Sequence, residues 1–157
     1  MRIIIIILLS FIFSNSQIEK SNKKFDALLS SYVDSLGNVN YKGIIDNPFA
    51  LNDYLNFIKE FSPNSHPSYF ESINSKKAYW INVYNAIILK LMVDNPGENI
   101  LDIGYVGHDV FLKKFKIGGE KLSPLHIENK ILRKMNDPRI HFAINCASKS
   151  CPPLGNR

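Results

Sequence analysis

The apolar positions of the chain fall into a few distinct periods. Phe25, Leu28, Leu29, Tyr32, Val33 and Leu36 recur at helical spacing, with Lys23, Lys24 and Asp34 off the stripe, and this pattern predicts an amphipathic helix closed by Gly37. Asn47 then supplies a cap and Pro48 a preset first-turn φ for a second helix, whose face of Leu51, Tyr54, Leu55 and Ile58 runs up to Ser62-Pro63. Ser62 to Ser68, carrying two prolines and an asparagine, reads as a surface connection too short to divide domains.

From Ser75 to Asp94 the polar face almost vanishes, which predicts a central helix packed on all sides. Asn82 and Asn85 lie three apart on one face of it, and a buried amide without partners costs about 1–3 kcal/mol. Two roles would justify that cost, clamping the backbone of an irregular neighbouring segment or orienting a catalytic group. Asn95-Pro96-Gly97 ends the helix. Phe115-Lys116-Ile117 and Glu120-Lys121-Leu122 flank Gly118-Gly119 and predict a hairpin over 115–122. Ser123 caps a helix starting at Pro124, with Ile127, Ile131 and Met135 as its buried edge and Asp137-Pro138 as its end. Ile140, Phe142 and Ile144 alternate with His141, Ala143 and Asn145 and predict a strand at 140–145. The fold class read from these elements is α+β: N-terminal helices and a central buried helix packed on a small antiparallel sheet that includes the hairpin and the strand.

The first residues are set apart. Arg2, the run Ile3 to Phe13 interrupted only by Ser10, and then Ser14, Asn15 and Ser16 follow the order of a secretory signal, and the run falls short of the roughly 20 apolar residues a membrane span needs. The expectation is a signal peptide over 1–16 and a single domain over 17–157, exported to the periplasm or secreted, and not membrane-spanning once the signal is removed. Composition agrees with a globular domain: 157 residues, 45% hydrophobic and 21% charged, exclude a disordered tail, a fibre and a polytopic membrane protein. The net charge of +5 is a mild excess, and together with export it argues against a nucleic-acid partner. Lys113, Lys114, Lys116 and Lys121 read as solvated strand faces in preference to an anion site.

The candidate chemistry lies near the end of the chain, where Cys146 and Cys151 are the only cysteines. Three readings stay open. A disulfide needs Cα atoms within about 7 Å, which a loop of four intervening residues allows, and such bridges persist outside the reducing cytosol. A metal site would want more ligands than two cysteines five apart. A reactive thiol needs a cation, an imidazole or backbone N–H groups to stabilise its thiolate, and His141, His126, Lys149 and Arg139 are the nearest in sequence. On a regular strand His141 and Cys146 face opposite sides, so a dyad requires a bend at Asn145 or another histidine.

Several segments carry a resemblance: Ala78-Tyr79-Trp80-Ile81-Asn82-Val83-Tyr84-Asn85-Ala86, Phe115 to Gly119, Leu122-Ser123, Ile127-Glu128-Asn129-Lys130-Ile131-Leu132-Arg133, Asp137 to Ser148, and Ser150-Cys151-Pro152-Pro153-Leu154. With Val39-Asn40-Tyr41 they span roughly 25–154, and the chain resembles the domain-of-unknown-function 547 family, found in exported bacterial proteins and in plant and animal proteins. The resemblance implies a site at Cys146. Its matching polar residues suggest Cys146 as nucleophile and His141 as base or orienter, with Asn82, Tyr84, Asn85, Arg139, Asn145 and Ser148 in support. Backbone N–H groups of the small residues would stabilise negative charge. The chemistry would be hydrolase-like, transferase-like or redox, acting on a small-molecule or peptide ligand, with no cofactor implied. The alternative is a non-catalytic cell-envelope binding or scaffolding module in which Cys146 and Cys151 form a structural disulfide. The chain departs from the family pattern in reading Ile127-Glu128-Asn129 where Ile-Glu-His is frequent, and His126 is no obvious substitute. Some relatives lack the second cysteine, and relatives continue past the Pro-Pro-Leu motif, so a missing C-terminal part is expected.

Overall fold

The computed structural model describes residues 2–104, 109–148 and 151–155. Helix α1 (Arg2–Tyr32) is continuous through the predicted signal boundary. Its stripe of Phe25, Leu28, Leu29 and Val33 is buried, whereas Leu36 is exposed. The helix stops short of Gly37 because the Asp34 carboxylate accepts the N–H groups of Leu36 and Asn38, both at 2.8 Å, and turns the chain. Helix α2 (Tyr41–Asp46) begins where the Asn40 side chain accepts the N–H of Gly43. Helix α3 (Phe49–Glu60) buries the predicted face of Leu51, Tyr54, Leu55 and Ile58. Helix α4 (Ile73–Asp94), capped by Ser72, is buried on nearly all sides from Tyr79 to Met92 and forms the centre of the core.

Strands β1 (Phe115–Ile117) and β2 (Glu120–Leu122) pair antiparallel, with Phe115 opposite Leu122 and Ile117 opposite Glu120. The class is α+β as expected, and the hairpin packs on α3. Its position follows from the carbonyls that a helix C-terminus leaves without intrahelical partners. Gly118 N–H donates to Ile58 O at 2.8 Å and Gly119 N–H to Lys59 O at 2.9 Å. Ser65 Oγ donates to Glu60 O at 3.1 Å, and Tyr79 OH to Phe61 O at 2.5 Å. The end of α3 is thus finished by tertiary partners, which fixes the hairpin, the Ser62–Ser65 turn and α4 against it.

Ser123 caps helix α5 (Pro124–His126), which continues as a π turn over Ile127–Leu132 and a tighter turn over Arg133–Met135 before Asn136 ends it in the left-handed region. The extra residue of the π turn moves burial from the predicted Ile131 to Leu132, so the fully buried pair is Ile127 and Leu132, five apart.

The strand expected at 140–145 is not one. Residues Ile140–Ala143 form a single helical turn, α6. Ile140 and Ile144 are buried one turn apart, while Phe142, the middle member of the supposed alternation, is 77% exposed. Two local causes act. Asp137 Oδ1 accepts the N–H of Arg139 at 3.1 Å beside Pro138, starting a turn, and the hairpin is the only sheet among the described residues, so no edge pairs with an extended segment. Among the described residues no helix is long and apolar enough to cross a membrane.

The two turn glycines make separable demands. Both have positive φ, but a Cβ on Gly118 would lie 2.0 Å from Ser62 Oγ and 2.6 Å from Ser62 Cβ, whereas Gly119 has nothing within 4 Å. Gly119→Ala should cost about 1 kcal/mol, the left-handed penalty alone, and Gly118→Ala at least about 2 kcal/mol more because Ser62 is buried. Urea-unfolding midpoints test this, and equal losses would contradict the packing described.

Candidate functional site

The closing segment has almost no regular structure, so the polar groups of its backbone need partners from elsewhere. Helix α4 supplies them from one face. Lys77 and Asn85 lie eight residues and about 12 Å apart along it. Lys77 Nζ meets Asp137 Oδ2 at 2.5 Å, with both side chains largely buried. Asp137 also takes a two-pronged contact from Arg139, Nε to Oδ1 at 2.9 Å and a terminal nitrogen to Oδ2 at 2.8 Å. The Arg139 guanidinium, and then the Lys77 ammonium, hold the Asp137 carboxyl well below the usual carboxylate range. Two turns further on, buried Asn85 uses both ends of its amide: Nδ2 donates to Ala143 O at 2.9 Å and Oδ1 accepts the N–H of Asn145 at 2.9 Å. The helix thus pins the segment on both sides of α6.

Asn145 passes the constraint on. Its Oδ1 accepts the N–H of Ala147 at 2.7 Å and its Nδ2 donates to Pro152 O at 2.6 Å, so one side chain spans the loop from within. That loop is closed covalently by a Cys146–Cys151 disulfide with Cα atoms 6.1 Å apart. The N–H of Cys146 donates to Cys151 Sγ at 3.1 Å, the N–H of Cys151 to Ser148 O at 3.1 Å, and Ser148 Oγ lies 3.3 Å from Cys146 Sγ. Ala147 sits at φ +60°, a conformation that L residues adopt only when their surroundings hold it. Past the ring, Leu154 is buried, and Pro153 packs so closely on Gly37 that a Cβ there would lie 2.2 Å from Pro153 Cβ.

The proposed site residues do not all converge. Asn85, Asn145, Ser148 and both cysteines belong to the loop and its clamp. His141 is exposed on α6, and among the described residues no imidazole hydrogen-bonds to either sulfur. Arg139 is exposed and committed to Asp137. The half-buried Asn82 side chain makes none of the hydrogen bonds that Asn85 makes to the closing segment. Tyr84 is buried on the side of α4 facing the π turn, where burial and the Glu128 carboxylate beside it push its hydroxyl well above the usual tyrosine range. Glu128 in turn accepts from Arg133 at 2.7 and 3.2 Å. His126 is exposed, and Lys149 lies outside the described residues. No group of three or more His, Cys, Asp or Glu side chains gathers among the described residues. Sequence reasoning missed Lys77 and Asp137, since a pairing across sixty residues leaves no local signal beyond the Lys76-Lys77 pair at the start of an apolar helix.

A family model described as "Protein of unknown function, DUF547" matches residues 70–155, a stretch that contains α4, the hairpin, the π turn and the bridged loop. No curated protein and no solved structure matches the chain.

Two tests follow from the clamp. Asn85→Leu leaves the Asn145 N–H and the Ala143 carbonyl without partners and should cost about 2–4 kcal/mol in equilibrium unfolding; a loss under about 0.5 kcal/mol would show that the segment holds itself. Because the Asp137 carboxyl is depressed in the folded chain, its stabilisation is complete above the unfolded value near 4 and drains away as pH falls below it. Wild type should therefore lose more stability than Asp137→Asn between pH 5 and pH 2.5, and parallel pH profiles would remove Asp137 from the account.

Proposed function

The chain belongs to the DUF547 family, and on that premise we propose that this domain is a non-catalytic binding or scaffolding module of the cell envelope, with Cys146–Cys151 as a structural bridge. One observation carries the reading: the two side-chain amides beside the bridge are spent on backbone. Both ends of the Asn85 amide and both ends of the Asn145 amide hold main-chain atoms. A nucleophile at Cys146 would instead have an imidazole or amide hydrogens directed at the Cys146 sulfur. The bridge leaves no thiolate, and His141 faces solvent. A hydrolase-like, transferase-like or redox role for Cys146 therefore requires prior reduction of the bridge by a dithiol. The leader pattern at residues 1–16 supports an exported location, where such a bridge is thermodynamically at home.

Alkylation followed by mass spectrometry on protein recovered from the exporting cell tests the reading. Cys146 and Cys151 should take up alkylating agent only after reduction. The Cys146→Ala/Cys151→Ala variant should keep its fold while losing about 2 kcal/mol, the loop-closure value for a six-residue ring. Modification of Cys146 in the folded, unreduced protein, faster than in an unfolded peptide, would overturn the proposal in favour of a nucleophile.

A further inference from the structure

A binding module needs a place to bind, and a half-enclosed cleft lies away from the bridged loop, between α3, α4 and β1. It measures about 290 Å³. Its floor is apolar and belongs to the core: Ile58 and Ile87 are fully buried, Leu55 nearly so, and Phe115 half-buried. Its walls are preformed, because the Gly118 and Gly119 amides tie the hairpin to the carbonyls of Ile58 and Lys59. Around the floor stand three ammonium groups, Lys59 from α3, Lys90 from α4 and Lys116 from β1.

These cations are not fully balanced. Lys116 meets Glu60 at 2.8 Å and Lys90 pairs with Asp94. Lys59 donates to the neutral amide of Asn56 at 2.7 Å. Three positive charges over two carboxylates leave an excess of one, set over an apolar floor. A single positive excess suits one anionic group better than a polyphosphate or a nucleic-acid strand. A volume at the lower edge of the roughly 300–1,000 Å³ typical of ligand pockets suits a small molecule better than a chain.

We propose that this cleft binds a small amphipathic carboxylate, its apolar body lying on Phe115 and the edge of Leu55, above the buried Ile58 and Ile87, and its carboxylate held by the ammonium groups of Lys59, Lys90 and Lys116. The assignment rests on reading the domain as a binding module and names the ligand class that reading leaves open. The ligand gains by removing apolar surface from water, and the cations select the sign of its head group.

The test is isothermal titration calorimetry at low ionic strength, below the micellar range, with octanoate as probe and acetate and octylammonium as comparators. Octanoate should bind saturably at one site. Acetate, lacking the apolar body, and octylammonium, carrying the wrong charge, should bind at least about tenfold more weakly. Lys59→Glu, an exposed substitution at the cleft, should weaken octanoate about tenfold or more, whereas Lys134→Glu, an exposed change of equal charge outside the lining, should not. No saturable binding, equal binding of octanoate and octylammonium, or equal effects of the two charge reversals would each overturn the proposal. Failure of octanoate with the bridge shown intact by thiol count removes the cleft assignment and leaves the module reading standing. A reactive Cys146 removes the module reading whatever octanoate does.

Discussion

A side-chain amide inside the core organises the end of this chain. Residues 144–148 and 151–155 lack helix or strand, yet several of them are buried or half-buried, so their peptide groups cannot all turn to water. A chain in that position must borrow donors and acceptors, and α4 supplies them from a side chain. Asn85 provides one of each at 2.9 Å. Through Asn145 the same constraint reaches Ala147 and Pro152, and the disulfide then closes the ring it has shaped. Removing a partner from a buried peptide group costs more than an average hydrogen bond contributes, and this asymmetry makes the amide indispensable.

The same logic recurs at the other end of the core. The terminal carbonyls of α3 are met by the hairpin amides, by Ser65 and by Tyr79, so a three-residue ribbon that would be unstable alone is held in one place. That placement creates the cleft between α3, α4 and β1. Structure at both ends is specified by matching backbone groups left over from helices and loops, while the apolar interior supplies the driving force without direction.

Much of this could be read along the chain. The buried faces of α3 and α4 follow from spacing, the hairpin from Gly118-Gly119, and the α5 cap from Ser123-Pro124. Asn85 stood out as a polar group that needed a reason inside an apolar helix. The failures have definite causes. Ile140, Phe142 and Ile144 alternate, but a strand requires an edge to join, and Asp137-Pro138 had already begun a turn. Leu36 continues a helical stripe that Asp34 interrupts by collecting amides. The π turn adds a residue that no periodicity shows in advance, and the Lys77–Asp137 pair spans elements far apart in sequence. His141, five residues before Cys146 in the motif, is exposed on the helical turn that replaces the expected strand and hydrogen-bonds to neither sulfur.

Native-state hydrogen exchange at the Asn145 amide addresses the central claim most directly. If Asn85 holds the loop from inside the core, that amide should exchange only through global unfolding, with a protection free energy matching equilibrium denaturation. It should stay protected when the Cys146–Cys151 bridge is reduced, since the clamp does not depend on the bridge. Exchange of the Asn145 amide at the rate of an exposed loop in the oxidised protein would contradict the account, because the buried clamp would then not be holding the segment.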